Sequence, residues 1–102
     1  MNKFYFPQKE LESFCEKNKI KQLAVFGSVF SEEFNEYSDI DMLYLFNESV
    51  SFSFFDVVRM KTELEKLLNH PVDFISRKAV EDSNNNFRKK SIFDNLRIIY
   101  ES

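Results

Sequence analysis

Two apolar runs flanking a short polar loop constrain this chain more than any other feature. Leu23-Ala24-Val25-Phe26 stops at Gly27-Ser28, and Met42 to Phe46 starts immediately after Ser38-Asp39-Ile40-Asp41. Short apolar runs bounded by turn formers read as strands. Residues capable of chemistry therefore stand at the end of one strand and the start of the next. Gly27 is the only glycine in the chain, and glycine suits a turn where the backbone takes positive φ or comes close to another group. Ser28 adds a hydroxyl and an amide at the head of a short segment, 29–33, where the unpaired amides of a helical turn favour phosphate.

Asp39 and Asp41 are one residue apart on an extended segment, so both face the same way while Ile40 points to the other side. Acidic residues before a strand are common turn formers, which by itself would account for Ser38-Asp39. Asp41 resists that account because it lies inside the strand pattern, where Asp is disfavoured. Asp73 interrupts the apolar run Val72-Asp73-Phe74-Ile75 in the same way. Carboxylates held side by side repel, which raises the pKa of one of them unless a positive charge lies between. Carboxylate oxygens completed by water and phosphate are the preference of Mg²⁺.

A length of 102 residues predicts one domain spanning 1–102, and 43% hydrophobic content with 13 Phe supplies its core. A formal charge of −3 without a long basic run disfavours direct binding of nucleic acid through its phosphates. The single Cys cannot form an internal disulfide, which fits a reducing cytoplasm. No signal-peptide pattern and no apolar run of transmembrane length is visible, so a cytoplasmic protein without a membrane partner is expected.

Pro7 opens a first helix, in which Leu11, Phe14 and Cys15 fall on one buried stripe, so Cys15 reads as core. That helix should end near Asn18-Lys19, with Asn18 suited to the left-handed conformation. Ser53 and Asp56 match a capping box ahead of a helix over about 54–69, whose stripe is Val57, Met60, Leu64 and Leu67/Leu68. Pro71 ends that region and a strand over 72–76 follows. Residues 84–100 read as mostly helical, with Ile92, Leu96 and Ile99 on one face. Arg88, Lys89, Lys90 and Arg97 lie on the other, as a solvated face, a triphosphate contact or a partner surface. Arg77-Lys78 carry the same ambiguity, and the lone His70 beside Pro71 reads as a surface or turn residue.

The short connection makes strands 23–26 and 41–46 antiparallel neighbours, and a crossover through helix 54–69 sets strand 72–76 parallel to the second. The fold class is α/β (α+β), a small mixed sheet of about three to four strands packed with helices. Gly27-Ser28, Asp39, Asp41 and Asp73 then converge at one sheet edge.

Gly27-Ser28, nine intervening residues and Ser38-Asp39-Ile40-Asp41 resemble the signature of the nucleotidyltransferase superfamily that includes DNA polymerase β. The small size and Val72-Asp73-Phe74-Ile75 resemble, more narrowly, the minimal nucleotidyltransferases encoded beside HEPN-type toxins. One departure is plain: many relatives carry an Arg and a Gly shortly after the GS pair, where this chain has Ser31 and Glu32.

The resemblance implies a polymerase β palm-like fold and transfer of AMP from ATP. Asp39, Asp41 and Asp73 would hold two Mg²⁺ ions about 4 Å apart, with Asp73 taking the proton of the attacking hydroxyl. Gly27, Ser28 and Ser38 would bind the nucleotide. The acceptor implied is a hydroxyl side chain, a tyrosine first, on a HEPN-type toxin partner. The chain would then be the antitoxin of a type VII-like pair, with a homodimer as its alternative assembly when alone. Two rivals stay open, a non-catalytic antitoxin that masks its toxin and a transferase acting on a small molecule such as an aminoglycoside.

Overall fold

A computed structural model describes residues 4–102; residues 1–3 of the expected 1–102 domain lie outside it. The helices are α1 (Gln8–Lys17), α2 (Phe54–Leu68), α3 (Arg77–Glu81) and α4 (Asn86–Asp94), and the strands are β1 (Ile20–Phe26), β2 (Ile40–Phe46), β3 (Val72–Ser76) and β4 (Arg97–Glu101). They form one mixed sheet in the order β3-β2-β1-β4. β1 pairs antiparallel with β2 and β4, and β2 pairs parallel with β3. The neighbour relations expected for the first three strands hold.

Alternation along the strands sorts the core into two layers. Leu23, Val25, Ile40, Met42 and Val72 pack with Leu11, Phe14 and Cys15 of α1 and with Met60, Leu64 and Leu68 of α2. Ala24, Phe26 and Leu43 face the other way, against Val80 of α3 and Ile92 of α4. Full burial of a Leu or Met side chain contributes roughly 1.5–3 kcal/mol, so the α1/α2 layer carries most of the stability. Cys15 belongs to it as expected, and burial pushes its thiol up to about 12.

Local rules account for most boundaries. Ser53 accepts from the Asp56 amide while Asp56 accepts from the Ser53 amide, completing the capping box of α2. Asn69 closes that helix in the left-handed region, with φ 55°. Asn85 caps α4 by accepting from the Arg88 amide. At the end of α1 the left-handed residue is Lys19 (φ 57°) rather than Asn18, whose side chain instead donates to the Phe14 carbonyl.

The expectation for 84–100 is corrected. The helix stops at Asp94, the chain turns at Asn95, and Arg97–Glu101 runs as a strand along the outer edge of β1. Ile98-Ile99-Tyr100 is a β-branched and aromatic run with strand preference, and an unpaired edge of the buried β1 would leave backbone groups unsatisfied. Ile92 and Leu96 belong to one core layer and Ile99 to the other, so they share no helical face.

Glu65 of α2 accepts from the Val72 amide at 2.9 Å and from Lys61 Nζ at 3.1 Å, which ties the helix to the first residue of β3. The Val72 amide holds its carboxyl below the ordinary 4.5, with Lys61 adding to the effect. A depressed folded pKa contributes stability that is present above the unfolded value and lost as pH falls through the folded one. Glu65→Ala is expected to destabilise by roughly 1–2 kcal/mol at pH 7 in urea unfolding. The difference should shrink on acidification below pH 4.5; a pH-independent difference would rule out this bond as its source.

Candidate active site

Register brings the carboxylates together. Phe26, the last residue of β1, lies opposite Asp41, and Asp41 lies opposite Asp73. Asp41 and Asp73 are each the second residue of their strand. Both alternate onto the face of the second core layer, two residues before Leu43 and Ile75. The apolar layer ends there, which leaves Asp41 half-buried and Asp73 exposed.

Gly27 follows Phe26 with φ +74°, and a Cβ at that position would stand 2.5 Å from Asp41 Oδ2. The glycine is needed twice, for the backbone angle and for the room. It opens a single 3₁₀ turn, Gly27–Phe30. The Ser28 amide is near enough to the Asp41 carboxylate to lower its pKa, and Ser28 Oγ donates to the Asp39 carbonyl at 2.9 Å. The turn after β1 is thus fastened to the segment that carries both aspartates.

Burial raises the Asp41 pKa most; the Ser28 amide opposes it, and the negative charges of Asp73 and Asp39 add to the rise. Gly27, Ser28, Asp41 and Asp73 occupy the places that the sequence pattern foresees, with Asp39 one residue ahead of β2. Ser38 is adjacent, but its hydroxyl accepts from the Asn35 amide and closes the preceding turn. Arg77 lies outside the site: it donates to Gln22 Oε1 and to Glu81, with its guanidinium over the Phe93 ring. His70, unremarkable in sequence, stacks on Phe34 and points Nδ1 at the Ser38 carbonyl. Its partners lie more than thirty residues away in the chain, so no local pattern announces it.

Among the described residues, no group of three His, Cys, Asp or Glu side chains is drawn closely enough together to hold a metal ion. Asp41 and Asp73 nevertheless fit a hard divalent cation as a ladder pair of oxygen donors. Asp39 is close enough for its charge to raise the Asp41 pKa, and a cation would relieve the mutual repulsion of all three.

The Nucleotidyltransferase domain matches residues 8–99. The chain belongs to that family. This nucleotidyltransferase is 38% identical over 81 residues to "Putative protein adenylyltransferase MJ1379" of Methanocaldococcus jannaschii, covering 79% of this chain and 78% of the relative. A solved structure described as that of a "putative minimal nucleotidyltransferase" is 28% identical, with a TM-score of 0.66 over 88% of this chain and 86% of that one. The fold is also that of two toxin–antitoxin structures. One, solved with AMP-PNP, has a TM-score of 0.69 at 14% identity over 95% of this chain and 75% of its own. In the other, a tri-AMPylated Shewanella oneidensis HEPN toxin is bound to its MNT antitoxin; the TM-score is 0.62 at 16% identity over 93% and 70%.

Two outcomes follow from the Gly27–Asp41 contact. Gly27→Ala is expected to destabilise the fold by roughly 1–3 kcal/mol and to lower nucleotidyl transfer about 100-fold by displacing the Asp41 carboxylate. Unchanged transfer would show the contact to be idle.

Folding raises the Asp41 pKa, so the folded state holds this proton more tightly than the unfolded chain. Stability therefore falls as pH climbs from the ordinary 3.8 through the raised value. In chelator at pH 7, Asp41→Asn should melt above the parent while losing transfer. The difference should close below pH 3.8, and a lower melting point at pH 7 would refute the assignment.

Proposed function

We propose that this nucleotidyltransferase moves AMP from ATP to a hydroxyl side chain, a tyrosine first, on a HEPN-type toxin, and so serves as the antitoxin of a type VII-like pair. The observation that carries the reading is the ladder Phe26–Asp41–Asp73 with Gly27 against Asp41. The site joins carboxylates for a cation to a turn with donors for phosphate. The name of the archaeal relative supports protein adenylylation, and the AMP-PNP-bound and tri-AMPylated complexes support the donor and the partner.

Asp39, Asp41 and Asp73 would hold magnesium, two ions in the fullest case. When bound, the metal supplies positive charge for the phosphoryl oxygens and the leaving pyrophosphate. The chain's residues do the rest. Gly27 and Ser28 would offer backbone amides to the β- and γ-phosphates, the Ser28 hydroxyl joining them only on leaving the Asp39 carbonyl, with Ser38 beside them. The acceptor oxygen attacks the α-phosphorus in line, the bond to pyrophosphate breaks, and Asp73 takes the hydroxyl proton. Asp73 suits that task because it is exposed at the strand end, where an incoming side chain has access.

The acceptor comes on a partner in this reading, with the chain acting as one domain over 1–102. No helix among the described residues is long and apolar enough to cross a membrane, which is compatible with the cytoplasmic site of action proposed. The acceptor is protein rather than nucleic acid, as the charge of −3 suggests. A masking antitoxin is the second reading, favoured by Ser31 and Glu32 where many relatives carry Arg and Gly.

Intact-mass spectrometry decides between them. The chain is incubated with ATP, Mg²⁺ and the protein encoded beside it, with Asp39→Ala/Asp41→Ala as control. Addition of one or more AMP units to the partner, absent in the control, is expected. A stable complex without mass change would establish masking instead.

A further inference from the structure

Asp39 is the one carboxylate of the three that no strand ladder fixes, since β2 begins at Ile40. Its backbone is held nonetheless, group by group. The Ser38 carbonyl lies 3.3 Å from His70 Nδ1. The Asp39 carbonyl accepts from Ser28 Oγ at 2.9 Å. The Ile40 amide donates to the Pro71 carbonyl at 2.9 Å. Residues 70 and 71 thus grip the loop on both sides of Asp39. His70 is itself held, stacked on Phe34 with ring centroids 5.2 Å apart and met edge-on by Phe4 at 4.9 Å.

We propose that His70 is a positioning residue for the Asp39 carboxylate, acting through the Ser38 carbonyl. A carbonyl only accepts, so Nδ1 carries the hydrogen, and His70 donates whether the ring is neutral or charged. The Phe4–His70–Phe34 stack fixes the plane of the ring and with it the direction of the N–H. Residues that aim a metal ligand from behind typically change metal affinity or activity 10–100-fold when removed. The inference rests on Asp39 being a cation ligand, as in the proposed function.

Three variants separate the donor from the ring. His70→Phe keeps the stack and removes the N–H, His70→Asn restores a donor near Nδ1, and His70→Ala removes both. Mn²⁺ binding is followed by calorimetry alongside kcat and KM for AMP transfer, with Asp39→Ala as reference. His70→Phe is expected to melt near the parent temperature, to bind Mn²⁺ about 10-fold more weakly and to lose kcat with little change in KM. His70→Asn should recover most of both.

Equal Mn²⁺ affinity and kcat in parent and His70→Phe, with Asp39→Ala impaired, would overturn the role of His70 alone. Mn²⁺ affinity and transfer intact in Asp39→Ala would overturn the cation site from which the inference starts. Weak Mn²⁺ binding in His70→Phe that His70→Asn does not recover would also overturn it, by assigning the effect to the ring rather than the donor.

Discussion

The Asp41 carboxylate occupies the volume that any side chain at position 27 would fill. A Cβ there would lie 2.5 Å from Oδ2, well inside the contact distance of a carbon and an oxygen. The approach is possible because β1 ends at Phe26, opposite Asp41, and because the next residue can adopt φ +74°. One residue without a side chain thereby sets where the first strand stops, how the 3₁₀ turn departs and how near the Ser28 amide comes to the carboxylate. Only a glycine satisfies both the angle and the room, and the chain has one to place.

The unequal layers of the sheet explain why the acidic cluster sits where it does. On one face α1 and α2 cover the strands along their length, and Ile40, Met42 and Val72 are buried right up to the strand starts. On the other face the shorter α3 and α4 pack on Ala24, Phe26, Leu43 and Ile75. Asp41 and Asp73 project on this second face, just past the point where the cover ends. Deeper placement would impose the full desolvation cost of two like charges. At the margin, burial still raises the Asp41 pKa while the strand ladder holds its backbone rigid. Poised carboxylates and a well-packed sheet are compatible because each faces a different layer.

Much of this was legible in the residues because it depends on short-range rules. The lone Gly27, the out-of-place Asp41 and Asp73, and the Ser53/Asp56 capping box are each visible within a few positions, and the crossover rule assembles them. The last strand was hidden for a physical reason. Ile92, Leu96 and Ile99 fit a helical period by number, but the period cannot reveal that Asn95 interrupts it or that β1 has a free edge to be filled. Lys19 rather than Asn18 took the left-handed angle because the Asn18 side chain was drawn back onto the Phe14 carbonyl. His70 was opaque for the same kind of reason: its ring partners, Phe4 and Phe34, come from segments that meet only in the folded chain.

The three carboxylates are held by different means, and the difference bears on how such a site is built. Asp41 and Asp73 are register partners on neighbouring strands of a parallel ladder, so their separation is set by the sheet and is costly to change. Asp39 stands at the end of a loop whose backbone is fastened by side chains from two other segments, Ser28 and His70, and by one main-chain bond to Pro71. Single hydrogen bonds contribute about 0.5–1.5 kcal/mol each, so this arm yields at far lower cost than the ladder. Two of the carboxylates are thus placed by the sheet and the third by a loop that other segments fasten. Three carboxylates can share one end of the sheet despite their repulsion because each backbone is tied separately, two by the ladder and one by the clasp around residues 38–40.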